Sequence, residues 1–181
     1  MMSDMPVTSR LAQVEDLPQL TALMARSIAQ LQQGFLSPEQ IAASDQVMGL
    51  DTQLVEDQTY FLVEADGRIV GCGGWSWRAT LFGGDDSIVA RAPLPLDPAT
   101  DAAKIRAMYT DPDFARRGIG SRILRLCEDA ARTAGFSKVE LMATMAGVPL
   151  YRAFGFVEVA PLDAVTREGL TIPMIRMGKQ L

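Results

Sequence analysis

The stretch from Ala103 to Gly135 constrains this chain more than any other part of it. Ala103–Thr110 reads as a strand, and Asp111-Pro112 turns it. Phe114-Ala115-Arg116-Arg117-Gly118-Ile119-Gly120-Ser121 then forms a short loop bearing arginine and glycine. A helix over Gly118–Ala134 follows, with Ile123, Leu124, Cys127, Ala130, Ala131 and Ala134 on one apolar face. Gly135 stands where a helix C′ glycine is expected. The first turn of such a helix has backbone N–H groups without internal partners, and its dipole favours negative charge. Glycines there let a ligand approach the main chain, so the segment predicts an anion cradle whose usual tenant is a phosphate.

The kind of phosphate site is narrowed by what the loop lacks. No lysine follows either glycine, which excludes a Walker A loop. Gly118-Ile119-Gly120-Ser121-Arg122-Ile123 ends in isoleucine and lies in the second half of the chain, which disfavours a dinucleotide fingerprint and with it an oxidoreductase. The net charge of −5 argues against nucleic acid as a partner. Between Lys104 and Lys138, however, eight basic residues face four acidic ones, +4 within a chain that is −9 elsewhere. That pattern suits a small anionic ligand, or a solvated helix face with Arg125 and Asp129 paired.

Histidine is absent. This excludes Ser-His-Asp and Cys-His catalysis, histidine-bearing zinc sites and any imidazole base, leaving carboxylates, tyrosine, backbone and water for proton transfer. Cys72 and Cys127 are too few for a four-cysteine zinc site or a disulfide scaffold, so no metal is expected. Cys127 lies on the apolar stripe and reads as inert core, not as a nucleophile. With no basic-then-apolar leader and no eighteen-residue apolar run, the expectation is a cytoplasmic protein without membrane contact. At 181 residues it fits one domain spanning 1–181.

The remaining elements read as follows. A strand near Met5–Leu11 precedes a helix with Asp16 as N-cap and Leu17, Leu20, Met24, Ile28 and Leu31 at helical spacing, ended by Gly34. Ser37-Pro38-Glu39-Gln40 predicts a capping box and a helix running, with a break, to about Leu50. Thr59–Glu64 and Ile69–Trp77 form a hairpin around Asp66-Gly67, with Gly71, Gly73 and Gly74 marking a bulge or close backbone approach. Residues 78–101 form a long Gly- and Pro-rich loop. Strand Lys138–Ala143, a short helix Val148–Phe154, and strands Phe156–Val159 and Thr171–Met177 complete a mixed α/β chain.

These residues resemble the GNAT superfamily of acetyl-CoA-dependent N-acetyltransferases, and the resemblance covers nearly the whole chain. Its [Q/R]-x-x-G-x-[G/A] signature six residues after a turn proline matches Pro112 and Gly118-Ile119-Gly120, with Ala115 at the Gln/Arg position. Leu150-Tyr151-Arg152-Ala153-Phe154-Gly155-Phe156 is similar to the late L-Y-x-x-x-G-F motif, and Thr144 stands where an asparagine often precedes that helix. The resemblance implies a central, mixed, mostly antiparallel twisted sheet flanked by helices. It implies acetyl-CoA held by Met108, Tyr109 and Thr110 along the strand, by Arg116, Arg117, Gly118, Ile119, Gly120 and Ser121 at the phosphates, and by Thr144. It also implies a small-molecule amine as acceptor, attack in a ternary complex, Tyr151 as the acid that protonates the thiolate, and a possible homodimer. A catalytically silent CoA- or acyl-CoA-binding sensor is the alternative.

The base is open: Glu64 at a strand end, or Asp85 and Asp86 in the long loop, are the candidates. Trp75 and Trp77 share a strand face and fit either an acceptor wall or core packing. The acidic balance leans toward a cationic acceptor.

Overall fold

A computed structural model describes residues 5–181. Strand β1 (Val7–Leu11) leads through a 3-10 turn at Val14–Asp16 into helix α1 (Leu17–Leu31). Asp16 does not cap α1 with its side chain. Its carboxylate is taken instead by both Nη atoms of Arg10, at 2.7 and 2.8 Å, and by the Gln13 N–H. The capping box forms as expected, with Ser37 Oγ accepting from Gln40 N–H and Gln40 Oε1 from Ser37 N–H. The helix behind it, α2 (Pro38–Ala42), is nevertheless short. The chain tightens into a separate 3-10 turn at Ser44–Gln46, and Gly49 sits at φ +124, so no single helix runs to Leu50. A separate helix, α3 (Thr52–Glu56), starts afresh with Asp51 as its N-cap.

Strands β2 (Tyr60–Ala65) and β3 (Arg68–Ser76) form the expected hairpin, with Asp66 and Gly67 both at positive φ, as a type I′ turn requires. After the long loop come β4 (Ala103–Thr110), a 3-10 turn at Pro112–Phe114 and helix α4 (Ile119–Thr133). Strand β5 (Lys138–Thr144), helix α5 (Val148–Ala153), and strands β6 (Val157–Val165) and β7 (Thr171–Gln180) follow. β6 runs past Val159 through Pro161, because it is an edge strand pairing only with β7 and can spare a donor.

The seven strands form one sheet in the order β1-β2-β3-β4-β5-β7-β6, antiparallel everywhere except β4–β5. Residues alternate between its faces. Val63, Val70, Ile105 and Leu141 meet α4 through Ile123, Leu124 and Cys127. Leu62, Ile69 and Cys72 meet α1 through Leu20, Leu23 and Met24. A third cluster on the α1 side joins Leu36, Val47 and Met48 to Ile172 and Met174. The expected Arg125–Asp129 pair is absent: Arg125 lies over the Phe154 ring, and Asp129 pairs with Arg132 instead.

α4 presses unusually close to β3. A Cβ at Gly71 would lie 2.3 Å from Ile119 Cγ2, and one at Gly73 would lie 2.7 Å from Ile123 Cγ2. The glycines therefore serve close helix–sheet packing, and through Ile119 they seat the first turn of α4. β4 and β5 are tied where they meet by a half-buried ion triad, with Lys104 and Arg176 both on Glu140. Asp111 is likewise buried, shared by Arg26 of α1 and Arg68 of β3 at 3.0 Å each.

Two outcomes follow for stability. Gly71→Ala forces Ile119 aside and is expected to lower unfolding free energy by about 1–3 kcal/mol in urea titrations, while weakening ligand binding at the α4 N-terminus. The Arg10 guanidinium holds the Asp16 carboxyl below the usual range. Burial opposes ionisation of Asp111 and Glu140, but the backbone N–H and arginines at Asp111, and Lys104 and Arg176 at Glu140, outweigh it and lower both. That stability is present above pH ~4 and lost as pH falls further. Burial pushes the Cys72 thiol up to about 12 and raises Cys127 as well. Stability should therefore also decline once pH exceeds ~8.5, where unfolded thiols ionise and the folded ones do not. With no histidine to titrate between, the urea midpoint is expected to be flat from about pH 5 to 8; a transition inside that window would contradict this account.

Candidate active site

Only Ala103↔Val139 and Lys104↔Glu140 pair β4 with β5; beyond them the strands diverge. The β5-facing edge of β4 from Ile105 to Thr110 has no strand partner. On its other edge β4 bulges, with Cys72 opposite Tyr109 and Gly74 opposite Arg106, so that Gly73 faces both Ala107 and Met108. Ala107 takes φ +51, a conformation that costs a non-glycine residue about 1 kcal/mol or more. Its carbonyl accepts a 2.7 Å hydrogen bond from the buried Tyr60 hydroxyl, which holds the bulge in place.

The divergence opens a cavity of about 690 Å³ that passes through the sheet. On the α4 side it is lined by Ala115, Arg116 and the run Gly118 to Ser121. The first bond of the helical ladder is Arg122 N–H to Gly118 O, at 3.0 Å. The N–H groups of Ile119, Gly120 and Ser121 precede it and are free to meet an anion. Gly118 sits at φ +81, with nothing within 4 Å of where a Cβ would be. Arg116, also at positive φ, lines this end and makes no ion pair among the described residues.

Two other residues of the loop differ from the reading of the sequence. Gly120 lines the cavity and has a packing role besides: a Cβ there would lie 2.7 Å from Leu150 Cδ2, so this glycine also lets α5 pack on α4. Arg117 is not among the lining residues; its guanidinium lies 5.2 Å from the Phe114 ring centre.

The middle of the cavity is walled by Met108, Tyr109 and Thr110 on one side and by Thr144, Gly147 and Tyr151 on the other. Thr144 Oγ1 accepts from the Gly147 N–H at 3.3 Å, which fixes the turn into α5. Gly147 lets the Tyr151 ring approach that turn closely, since a Cβ would come 2.9 Å from Tyr151 Cε2. The Tyr151 ring also meets Phe156 edge to face at 5.9 Å. Its hydroxyl makes no hydrogen bond among the described residues, and burial raises its pKa, so it stays protonated at neutral pH. The Tyr109 hydroxyl instead accepts from Gly49 N–H at 2.8 Å and ties the α2–α3 connection to β4.

On the α1 side the cavity ends among Leu31, Gln32, Phe35, Val47, Met48, Phe82, Met142 and Met174. Arg106 lies beneath, buried, with Nη2 2.7 Å from Asp51 Oδ2 and Nη1 bonded to the Thr80 carbonyl. Arg91 takes the other Asp51 oxygen at 2.7 Å. This cluster anchors the long 78–101 loop against β4, which is how Leu81, Phe82 and Gly83 come to line the cavity. A charged residue inside a central strand implies a buried counter-charge, and that was the available signal for Arg106. Nothing in the sequence marks Gln32 or Gly147.

No aspartate or glutamate lines the cavity among the described residues. Glu64 is outside it, bonded to Arg10 at 3.0 Å, so the structure does not bring this candidate base to the other residues. Asp85 accepts from the Thr52 N–H at 3.1 Å and Asp86 is exposed, both outside the cavity. Trp75 packs edge to face on Phe136 at 6.1 Å and Trp77 lies under Arg78, so neither walls the cavity. Cys127 is fully buried in the core.

The chain matches the acetyltransferase (GNAT) family profile over residues 25–156. It is 24% identical over 136 residues to a protein described as IAA acetyltransferase from Azospirillum brasilense, covering 74% of this chain and 76% of that one. Its fold is similar to a GCN5-related N-acetyltransferase structure from Rhodopseudomonas palustris, with TM-score 0.71, 20% identity and coverage of 100% and 99%. It is similar also to the PaiA N-acetyltransferase of Thermoplasma acidophilum in complex with coenzyme A, with TM-score 0.64, 16% identity and coverage of 98% and 100%. With the profile spanning the phosphate-type loop, the divergent strands and the Tyr151 helix, this chain belongs to the GNAT acetyltransferase family.

Proposed function

We propose that this protein, acting as one domain, transfers an acetyl group from acetyl-CoA to a primary amine by direct attack with both substrates bound. The cavity that crosses the sheet carries this reading, because it joins an anion-binding helix terminus to a separate apolar chamber. The similar fold seen with coenzyme A supports acyl-CoA as the donor.

The residues present fit such a donor. The Ile119, Gly120 and Ser121 N–H groups and Arg116 would hold its phosphates, and the unpaired edge of β4 from Met108 to Thr110 would hold the arm. When bound, acetyl-CoA supplies an acyl group activated as a thioester. A β4 backbone N–H beside the bulge would polarise its carbonyl. The amine nitrogen forms the new C–N bond as the C–S bond breaks. Tyr151 gives its proton to the departing sulfur, and the amine's surplus proton goes to water, since no carboxylate or histidine lines the cavity.

A silent sensor of CoA would need only the α4 half of this cavity. The continuation to Gln32 and Met48, with an unbonded Tyr151 hydroxyl between, favours turnover.

Calorimetric titration should give micromolar-range binding of acetyl-CoA, with NAD and ATP failing to bind. Thiol release in the presence of amines should then accompany N-acetyl product. Tyr151→Phe should lower kcat about 10²-fold with acetyl-CoA affinity little changed, and full retention of kcat would refute the acid role. Acetyl-CoA binding without thiol release for any amine would establish the sensor.

For the pH dependence, kcat/KM is expected to rise one log per pH unit up to the acceptor's own pKa. Replacing an amine of pKa ~10 by one nearer 8 should shift that limb by the same amount. A limb that stays fixed while the amine changes would reveal a protein base.

A further inference from the structure

We infer that the acceptor is an apolar primary amine with no second positive charge, and that Gln32 is the residue that receives its N–H. This inference rests on the proposed acetyl transfer and deepens it. The charge balance of the chain leans toward a cationic acceptor, but none of the described carboxylates lines the cavity. Every charged side chain lining it, among the described residues, is an arginine: Arg106 and Arg116. Asp51 is already taken by Arg106 and Arg91 together, so no carboxylate at this end of the cavity is left to meet a cation. A polyamine or aminoglycoside entering here would lose water from its ammonium groups and meet no counter-ion.

The chamber walls point the same way. Leu31, Phe35, Val47, Met48, Phe82 and Met174 present an aromatic and thioether surface suited to a hydrocarbon or ring. One group there is unsatisfied. Gln32 is 8% exposed and closes the C-terminal end of α1. Its Nε2 reaches Thr144 Oγ1 at 3.5 Å, while its Oε1 is buried with no partner. A buried carbonyl oxygen without a donor is costly, and an amine N–H entering the chamber would satisfy it. The Nε2 contact with Thr144 places the Gln32 amide where β4 and β5 part, both residues lining the cavity, and a turn of that amide would bring its oxygen to an amine there. Gln32 would therefore both select the amine and aim it.

The test uses the intact protein with saturating acetyl-CoA and compares phenethylamine with spermidine and kanamycin. Phenethylamine is expected to show kcat/KM at least tenfold above either polycation. Gln32→Leu should raise KM for phenethylamine tenfold or more, and calorimetric binding of acetyl-CoA reports that this variant is folded. Gln32→Glu, which puts a carboxylate into the chamber, should cut the preference for phenethylamine over spermidine at least tenfold. Equal or better turnover of spermidine or kanamycin by the parent protein would overturn the acceptor class. So would bound acetyl-CoA with no acetylation of phenethylamine. Unchanged kinetics in both variants would overturn the part given to Gln32. Failure of acetyl-CoA to bind the parent protein would instead refute the acetyl-transfer reading itself, a distinct result.

Discussion

The structure depends on the parting of β4 from β5. Two residue pairs join them and then the ladder stops, leaving the backbone edge of a central strand open inside the protein. An unpaired edge in a sheet interior is costly unless something meets its polar groups. Here that gap is the long axis of the cavity. Three features hold it open. The Ala107 bulge, fixed by the Tyr60 hydroxyl, turns β4 aside, and the Lys104–Glu140–Arg176 triad pins the point of divergence. β5 is meanwhile drawn the other way by its full antiparallel register with β7.

The glycines of β3 carry the same logic to the neighbouring layer. Gly71 and Gly73 admit α4 so closely that Ile119 and Ile123 fill the space of missing side chains, which brings the N-terminus of α4 to the mouth of the gap. Gly120 then admits Leu150, and so α5, from the far side. Tyr151 hangs from that short helix, close against Gly147. Packing thus transmits position from β3 through α4 to the phenol. The chamber on the opposite face is built separately, from the end of α1 and from a loop anchored by Asp51 between two arginines.

The order of elements was largely legible in the sequence, since the hairpin turn, the helix cap at Ser37, the closing glycine Gly135 and the strand-to-helix loop are written in local chemistry. The errors have local physical causes. Asp16 has the composition of an N-cap, yet Arg10 offers its carboxylate a stronger bidentate partner. Pro161 looks like a strand terminator but lies on the sheet edge, where its missing donor matters little. Gly120 has the look of a ligand-facing glycine, and it lines the cavity, but its missing side chain also admits Leu150.

The sequence by itself determined the strand-loop-helix segment at Thr110–Ser121, the absence of imidazole chemistry, the burial of Cys127 on the apolar stripe and the place of Tyr151 on the short late helix, because each depends on residue type and short spacing. Tertiary structure decided which charges face the cavity. Glu64 and Asp85 are as acidic in the sequence as any catalytic carboxylate, and only the fold turns them to Arg10 and to the Thr52 N–H, away from the gap. Gln32 is one polar residue among several at a helix end, and it becomes notable only when α1 packs it beside Thr144, from a strand more than a hundred residues later. Composition sums charge over the whole chain, whereas a binding site responds to the few groups that long-range packing brings within a few ångströms.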